Sequence, residues 1–330
     1  MVKITNRGEY YNEISILWGM LVILVVLGHS FPDFENGMTH TWAILLSRFL
    51  YSFHMGLFFC ISGFLFGKNY GMSINNNTYI KKRFLRLLVP YFVYSVITFL
   101  LKVAFETYAN HGVNMRDLLF ILIGQSPNGG LWFLWCLFVI STIIAIFSKI
   151  KVNVYILLGL SFMLNVFNVI IGIPFANNVL KYLYFYMAGI VIYKHYNQII
   201  NIKTHKTLIC VILLSIVAAS AILQTFGYVG EEFYLITASS GSAVAWQIAS
   251  IIKNDKNPFL RLMSDYSYDI YLLSYFPQMF IRTLCDRIYH INYIVVVLLM
   301  FITGLLIPIL LSYTVLRKSR FTRKIFLGLE

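Results

Sequence analysis

Residues 14–31 read ISILWGMLVILVVLGHSF, and this stretch decides the class of fold. It is apolar almost throughout and carries no Asp, Glu, Lys or Arg, and as a helix it is long enough to cross most of a hydrocarbon core of ~30 Å. One ionisable residue, His29, lies near its end. Burying an ionisable side chain in an apolar span is costly. His29 is therefore either a functional group that faces the bundle interior or a histidine solvated at the headgroup boundary, and its depth alone favours neither interpretation.

The composition of the whole chain points to the same class. Of the 330 residues, 59% are hydrophobic and 12% are charged, whereas soluble domains average about a quarter charged residues. This excludes an ordinary soluble domain and predicts a polytopic helical membrane protein. The polar segment MVKITNRGEYYNE precedes the first apolar run without a small-residue cleavage site, so we expect that run to be retained rather than removed as a signal peptide.

The chain contains ten apolar runs. They cover approximately 14–31, 42–66, 87–108, 130–148, 153–173, 179–193, 207–226, 232–252, 267–284 and 292–316. If each run crosses the bilayer, 20 of the 26 Lys and Arg residues lie on the side of the N-terminus and four lie on the other side. Basic residues accumulate on the cytoplasmic side of membrane proteins. The asymmetry therefore predicts an even number of spans.

The predicted fold class is all-α, a polytopic integral membrane bundle of ten transmembrane helices with the N- and C-termini cytoplasmic. We expect residues 1–330 to form a single domain of a multi-pass protein in the lipid bilayer of the cell (plasma or inner) membrane. The net charge of +13 is explained by this topology, so no nucleic acid partner is expected. The four cysteines lack the spacing of metal ligands, and no metal is expected.

Two histidines, His29 and His54, fall inside apolar runs and are the candidate catalytic residues. Their runs are antiparallel neighbours, so the two imidazoles are expected at similar depths. Histidine titrates near pH 6.5 and can take and return a proton at neutral pH. No carboxylate is expected at the bilayer midplane, where ion-coupled transporters usually carry one. The alternative is a structural pair in which the two histidines satisfy each other's hydrogen bonds. The pattern favours a catalytic role.

A basic cluster, formed by Lys81, Lys82, Arg83 and Arg86, lies at the cytoplasmic mouth of the third run. The asymmetry of basic residues is sufficient to explain it. The alternative is a phosphate-binding site, because guanidinium groups bind phosphate bidentately. Arg83 and Arg86 are three residues apart and would share one face of a helix.

Two further side chains near the outer edge are candidate substrate-binding residues. Arg48 lies about one turn inside the second run, where an arginine more often extends its side chain toward the interface. Trp132 is first of all an interface aromatic, and a platform on which a sugar stacks is the alternative.

Several strings taken together resemble the acyltransferase 3 family of integral membrane O-acyltransferases, and most closely its fucose 4-O-acetylase-like branch. They are VVLGHS at 25–30, FHMGLFFCISGFLF at 53–66, KKRFLRLLVPYFVYS at 81–95, GGLWFLWCLFVI at 129–140, YLYFYMAGIVIY at 182–193 and SYDIYLLSYFP at 267–277. The resemblance runs through nearly the whole chain in order. It implies a ten-span enzyme that moves an acyl group, usually acetyl, from cytoplasmic acyl-coenzyme A to a hydroxyl of a cell-surface glycan or lipid-linked sugar.

The resemblance also implies roles for individual residues. His29 matches the histidine of the family's first-span motif and is expected to act as a general base or to carry the acyl group, with His54 orienting it. Arg83 and Arg86 match the family's Arg-x-x-Arg, which makes a clamp for the coenzyme A phosphates the favoured interpretation, with Lys82 beside it.

The chain departs from the family pattern at three positions. Ser15 stands where an aspartate is often found, and Ser274 stands where a histidine is common. The arginine found eleven residues before the histidine is here Trp18, which can stack on adenine or line a pantetheine tunnel but cannot neutralise a phosphate. Acetyl-CoA is the expected donor, and succinyl-CoA is left open. Two other functions are also left open: a polysaccharide exporter or flippase, and a catalytically silent partner of another membrane enzyme. The sequence carries no signal for any particular oligomeric state.

Overall fold

The computed structural model of the protein describes eight stretches of the chain. They are residues 12–32, 40–71, 76–105, 114–171, 176–200, 206–252, 257–288 and 291–329. Of the described residues, 83% are helical and none is in a strand. The all-α prediction is therefore confirmed, and most described residues of the ten apolar runs are helical.

The helices are numbered in chain order. The first ten are α1 Asn12–Gly28, α2 Thr41–Tyr51, α3 His54–Gly67, α4 Asn76–Arg83, α5 Val89–Ala104, α6 Asp117–Ile121, α7 Trp132–Lys149, α8 Val154–Ile171, α9 Asn177–Lys194 and α10 Tyr196–Ile200. The others are α11 Lys206–Thr225, α12 Tyr234–Ile251, α13 Pro258–Asp265, α14 Ser267–Leu273, α15 Tyr275–Ile288, α16 Tyr293–Leu311 and α17 Arg320–Leu327. Short π-helical turns occupy Phe84–Leu88 and Ser312–Leu316.

Several of these helices are long and apolar enough to cross a membrane. The five segments that meet both conditions among the described residues are Thr41–Gly67, Asn77–Ala104, Trp132–Lys149, Thr207–Thr225 and Tyr293–Leu316. Two shorter apolar helices cover Glu13–Gly28 and Val154–Phe167. That all ten runs cross the bilayer, and that both termini are cytoplasmic, stay predictions.

Two of the predicted runs are interrupted at positions that matter for the site. The first helix ends at Gly28, so His29 lies in the turn that follows rather than inside the helix as predicted. The second run is broken by a turn at Ser52 and Phe53, immediately before His54. The Ser52 hydroxyl donates to the carbonyl of Phe49 (2.7 Å), a local bond of the kind that competes with the helical ladder.

The chain divides into two compact units, Met1–Phe58 with Asn201–Leu311, and Phe59–Ile200 with Ser312–Glu330. In the first unit, α1 packs closely on α13, because a Cβ at Gly19 would lie 2.6 Å from the carbonyl oxygen of Leu260. Apolar side chains fill the same interface and extend to α14 and α16. They include Val22, Val26, Met263, Ile270 and Leu305.

In the second unit, α3 and α9 approach each other through glycines on both helices. A Cβ at Gly63 would overlap the carbonyl oxygen of Tyr186, and a Cβ at Gly189 would overlap the carbonyl oxygen of Cys60. No other residue type allows two backbones to come so close. This contact fixes the position of Tyr186, which is fully buried and lies close to the basic cluster discussed below.

Candidate functional site

The two predicted histidines lie on either side of one tyrosine. The hydroxyl of Tyr51, the last residue of α2, forms a hydrogen bond of 2.9 Å with Nδ1 of His29. The same phenol ring lies 5.0 Å, centroid to centroid, from the ring of His54 and 5.7 Å from that of His29. The structure therefore brings His29 and His54 to a common neighbour.

His54 is held in one orientation and one tautomer. Its side chain is 1% exposed, and its Nδ1 lies 2.6 Å from the carbonyl oxygen of Leu50. A carbonyl only accepts, so Nδ1 donates, and in the neutral ring Nε2 is left with a lone pair. His54 can therefore accept a hydrogen bond or a proton only through Nε2.

His29 is exposed, and the turn that carries it is anchored on both sides. On one side, the Tyr51 ring packs over Gly28, where a Cβ would lie 3.5 Å from it. On the other side, the buried Ser30 hydroxyl donates to the carbonyl of Val26 (2.7 Å) and accepts from Nε2 of Gln278 (3.0 Å). His29 thus combines an accessible ring with a fixed backbone.

Tyr51 itself was not among the predicted site residues. Tyr51 is 22 residues from His29 in sequence, and their contact depends on where α1 and α2 end. No periodic pattern carries that information. Its position three residues before His54 was the only local signal.

In the basic cluster, Arg83 is engaged by a neighbour on its own helix. Its Nε donates to the hydroxyl of Tyr79 (2.9 Å), and its guanidinium carbon lies 5.3 Å from the centroid of that ring. This uses one of five N–H donors, and the terminal nitrogens of Arg83 have no hydrogen-bond partner among the described residues. The i, i+4 spacing of Tyr79 and Arg83 was a signal that sequence reasoning missed.

Arg86 contacts a different element. It lies in the π-helical turn Phe84–Leu88, and its Nη1 donates to the carbonyl of Leu327 at the end of α17. A π-helical turn is wider than an α-helical one, and such turns recur at functional sites. The segment that joins the two arginines is therefore π-helical rather than α-helical, and that they share one face stays a prediction. Lys82 is exposed beside them.

Trp18 and Arg48 belong to the first unit. Trp18 is half-buried and lies 5.4 Å, centroid to centroid, from the ring of Phe58. Arg48 is also half-buried, and its Nη1 is a buried donor with no hydrogen-bond partner among the described residues.

Trp132 begins α7 in the second unit and is part of a stack of three rings. It lies 5.3 Å from Tyr182 with planes 29° apart, and Tyr182 lies 4.7 Å from Phe59 at 14°. Its indole is half-buried. Over the described part of the chain, no group of three or more His, Cys, Asp or Glu side chains is placed to hold a metal ion.

The family model of an acyltransferase domain, acyltransferase 3, matches residues 11–313. No curated protein and no solved structure matches the chain. The family match includes every predicted site residue and most of the apolar helices. Both the sequence and the architecture of a multi-pass helical membrane protein agree with it. The chain therefore belongs to the acyltransferase 3 family, whose members are membrane acyltransferases.

Proposed function

We propose that the protein is a membrane O-acyltransferase of the plasma membrane. It moves an acyl group, acetyl in the first instance, from cytoplasmic acyl-CoA to a hydroxyl of a cell-surface glycan or lipid-linked sugar. The observation that carries the proposal is the accessible imidazole of His29, hydrogen-bonded to Tyr51 beside a buried and oriented His54, in a chain of this family. The finer fucose 4-O-acetylase-like assignment is part of the same proposal.

His29 acts as the general base. When its Nδ1 donates to the Tyr51 hydroxyl, its Nε2 presents a lone pair. Nε2 takes the proton of the acceptor hydroxyl as that oxygen attacks the thioester carbonyl. The new C–O bond forms, the C–S bond breaks, and the proton passes to the departing thiolate to give free coenzyme A. Such a base typically contributes about 10²–10⁴-fold to the rate.

The donor is held by the basic cluster. The terminal nitrogens of Arg83 supply N–H donors for phosphate oxygens, and Arg86 and Lys82 add positive charge beside them. Tyr79 holds the Arg83 guanidinium through Nε, so less freedom is lost when a phosphate binds. Trp18 supplies an aromatic surface for the adenine or the pantetheine, and Arg48 a buried donor for the acceptor.

A catalytically silent partner subunit is the second candidate. Trp18 packs against Phe58 where the family has an arginine, so that position contributes no positive charge to donor binding. An exporter or flippase is the third candidate, and it makes a different prediction, because loss of the chain would then remove the surface glycan rather than deacylate it.

The test is NMR of the glycan purified from a deletion strain complemented with variants. His29→Ala is expected to remove at least 99% of the O-acetyl signal, in line with the loss of a general base worth about 10²-fold or more. His195→Ala is the matched control, because His195 forms a similar bond to Tyr155 (2.8 Å) and is not assigned to the site. Wild-type acetylation in the His29 variant, at equal membrane abundance, rules out the mechanism. Loss of the polymer itself on deletion favours the exporter.

A further inference from the structure

A cavity of about 340 Å³ lies in the second unit, bordered by residues 123–129 and by the first turns of α7 and α9. Its described lining contains no carboxylate, ammonium, guanidinium or imidazole group. Gln125, Gly129 and Asn178 are exposed at its edge. The cavity is therefore open, uncharged and within the size range of small-molecule sites.

Neutral polar groups face this space. Gln125 and Asn178 contribute primary amides, each with two donors and a carbonyl acceptor, and Ser126 contributes a hydroxyl. A ligand with many hydroxyl groups satisfies donors and acceptors of both kinds. A purely apolar ligand would cover these exposed amides and displace their water without replacing its hydrogen bonds.

Two tryptophans supply the aromatic wall. Trp132 is backed by Tyr182 and Phe59 in the stack described above. Trp135 donates through Nε1 to the carbonyl of Leu122 (3.3 Å), and its ring packs on Gly124, where a Cβ would lie 2.7 Å away. Gly124 has a φ of +92°, so glycine is required there both for the backbone conformation and for the contact.

Two side chains of α5 form hydrogen bonds with the loop that borders the cavity. The Tyr91 hydroxyl donates to the carbonyl of Ile121 (2.7 Å). The Ser95 hydroxyl donates to the side-chain hydroxyl of Ser126 (2.8 Å). Within the loop, the side chain of the buried Asn128 accepts from the amide of Gly130 (3.0 Å). These bonds preorganise the site before a ligand arrives, which reduces the entropic cost of binding.

We propose that this cavity binds a neutral carbohydrate. A pyranose ring presents an apolar face to indole and a rim of hydroxyl groups to amides, and this lining offers both. Phosphate or carboxylate ligands find no counter-charge among the described lining residues. The distribution of basic residues assigns this loop to the outer side, where a surface glycan is met.

The experiment is saturation-transfer NMR with the full chain in nanodiscs. The probes are the methyl glycosides of glucose, galactose, fucose and N-acetylglucosamine. Asn178→Ala and Gln125→Ala each remove one exposed amide and are not expected to disturb folding. Asn177→Ala is the matched control, because Asn177 is the same residue type, exposed and adjacent, but does not line the cavity.

At least one glycoside is expected to bind the unaltered chain and the Asn177 variant equally. Each cavity variant is expected to weaken that affinity about tenfold, the value of one hydrogen bond. Equal affinity in the cavity variants, or no binding by any of the four probes, overturns the proposal. His29→Ala should bind the glycoside normally. Binding with normal acetylation in that variant therefore contradicts the proposed mechanism while leaving the cavity site intact.

Discussion

At the scale of single residues, Tyr51 contacts both His29 and His54 and so links the two histidines. Which nitrogen of an imidazole acts as the base is set by the hydrogen bond that the other nitrogen makes. For His54 the backbone carbonyl of Leu50 makes Nδ1 the donor. For His29 the Tyr51 hydroxyl holds the orientation of the ring, and in the proposed mechanism it accepts from Nδ1. We therefore treat Tyr51 as a positioning residue that acts through His29.

Tyr51→Phe tests this role. We expect kcat to fall about tenfold with KM for acyl-CoA unchanged, because the base remains but the Tyr51 hydroxyl no longer holds its ring in orientation. The acid limb of the pH–rate profile should also move to lower pH, since the charged imidazolium loses a hydrogen-bond acceptor. Tyr155→Phe, which breaks the similar pair with His195, is the control and should change neither quantity. A fall in protein abundance without a change in the pH profile would reduce Tyr51 to a packing role.

At the scale of elements, glycines decide how closely the helices of the second unit approach. The contacts of Gly63 with Tyr186 and of Gly189 with Cys60 are between backbones, so they leave no flexible side chain to move aside. Tyr186 in turn lies within electrostatic range of Arg83. A change of helix spacing here is therefore expected to disturb the donor side as well as stability.

Gly189→Ala is expected to destabilise the protein by about 1–3 kcal/mol or more, because the added Cβ overlaps the Cys60 carbonyl and the backbones must separate. Gly159→Ala in α8 is the control. Nothing lies within 4 Å of a Cβ at that position, so this change should be neutral or stabilising by about 0.5–1 kcal/mol. Thermal unfolding in detergent, followed by size-exclusion fluorescence, measures both. Equal melting temperatures would show that α3 and α9 can separate without cost.

At the scale of the whole molecule, the surface of the long helices is that of a protein in lipid. Only 17% of the most apolar part of Thr207–Thr225 is buried, and its mean hydropathy is 2.4. Apolar side chains left exposed over such lengths are stable in hydrocarbon and not in water. The placement of both termini rests on the 20 to 4 division of Lys and Arg rather than on the fold.

Reporter fusions test that topology. Green fluorescent protein fused after residue 330 should fluoresce, and alkaline phosphatase at the same point should be inactive, because the predicted C-terminus is cytoplasmic. Fusions in the loop at 124–130 should give the opposite result. An active phosphatase at the C-terminus would reverse the orientation and place the cavity on the side of the donor.

The sequence by itself determined the helical membrane class, the positions of the ten apolar runs and the family, and it predicted the two histidines as candidate catalytic residues. These follow from hydropathy, charge asymmetry and motifs, all of which are properties of neighbouring residues. Only the tertiary structure decided that α1 stops before His29, that Tyr51 lies beside both imidazoles, and that Arg83 and Arg86 have different partners. Those facts depend on where helices end and on a π-helical turn, and such features are set by contacts between residues far apart in the chain.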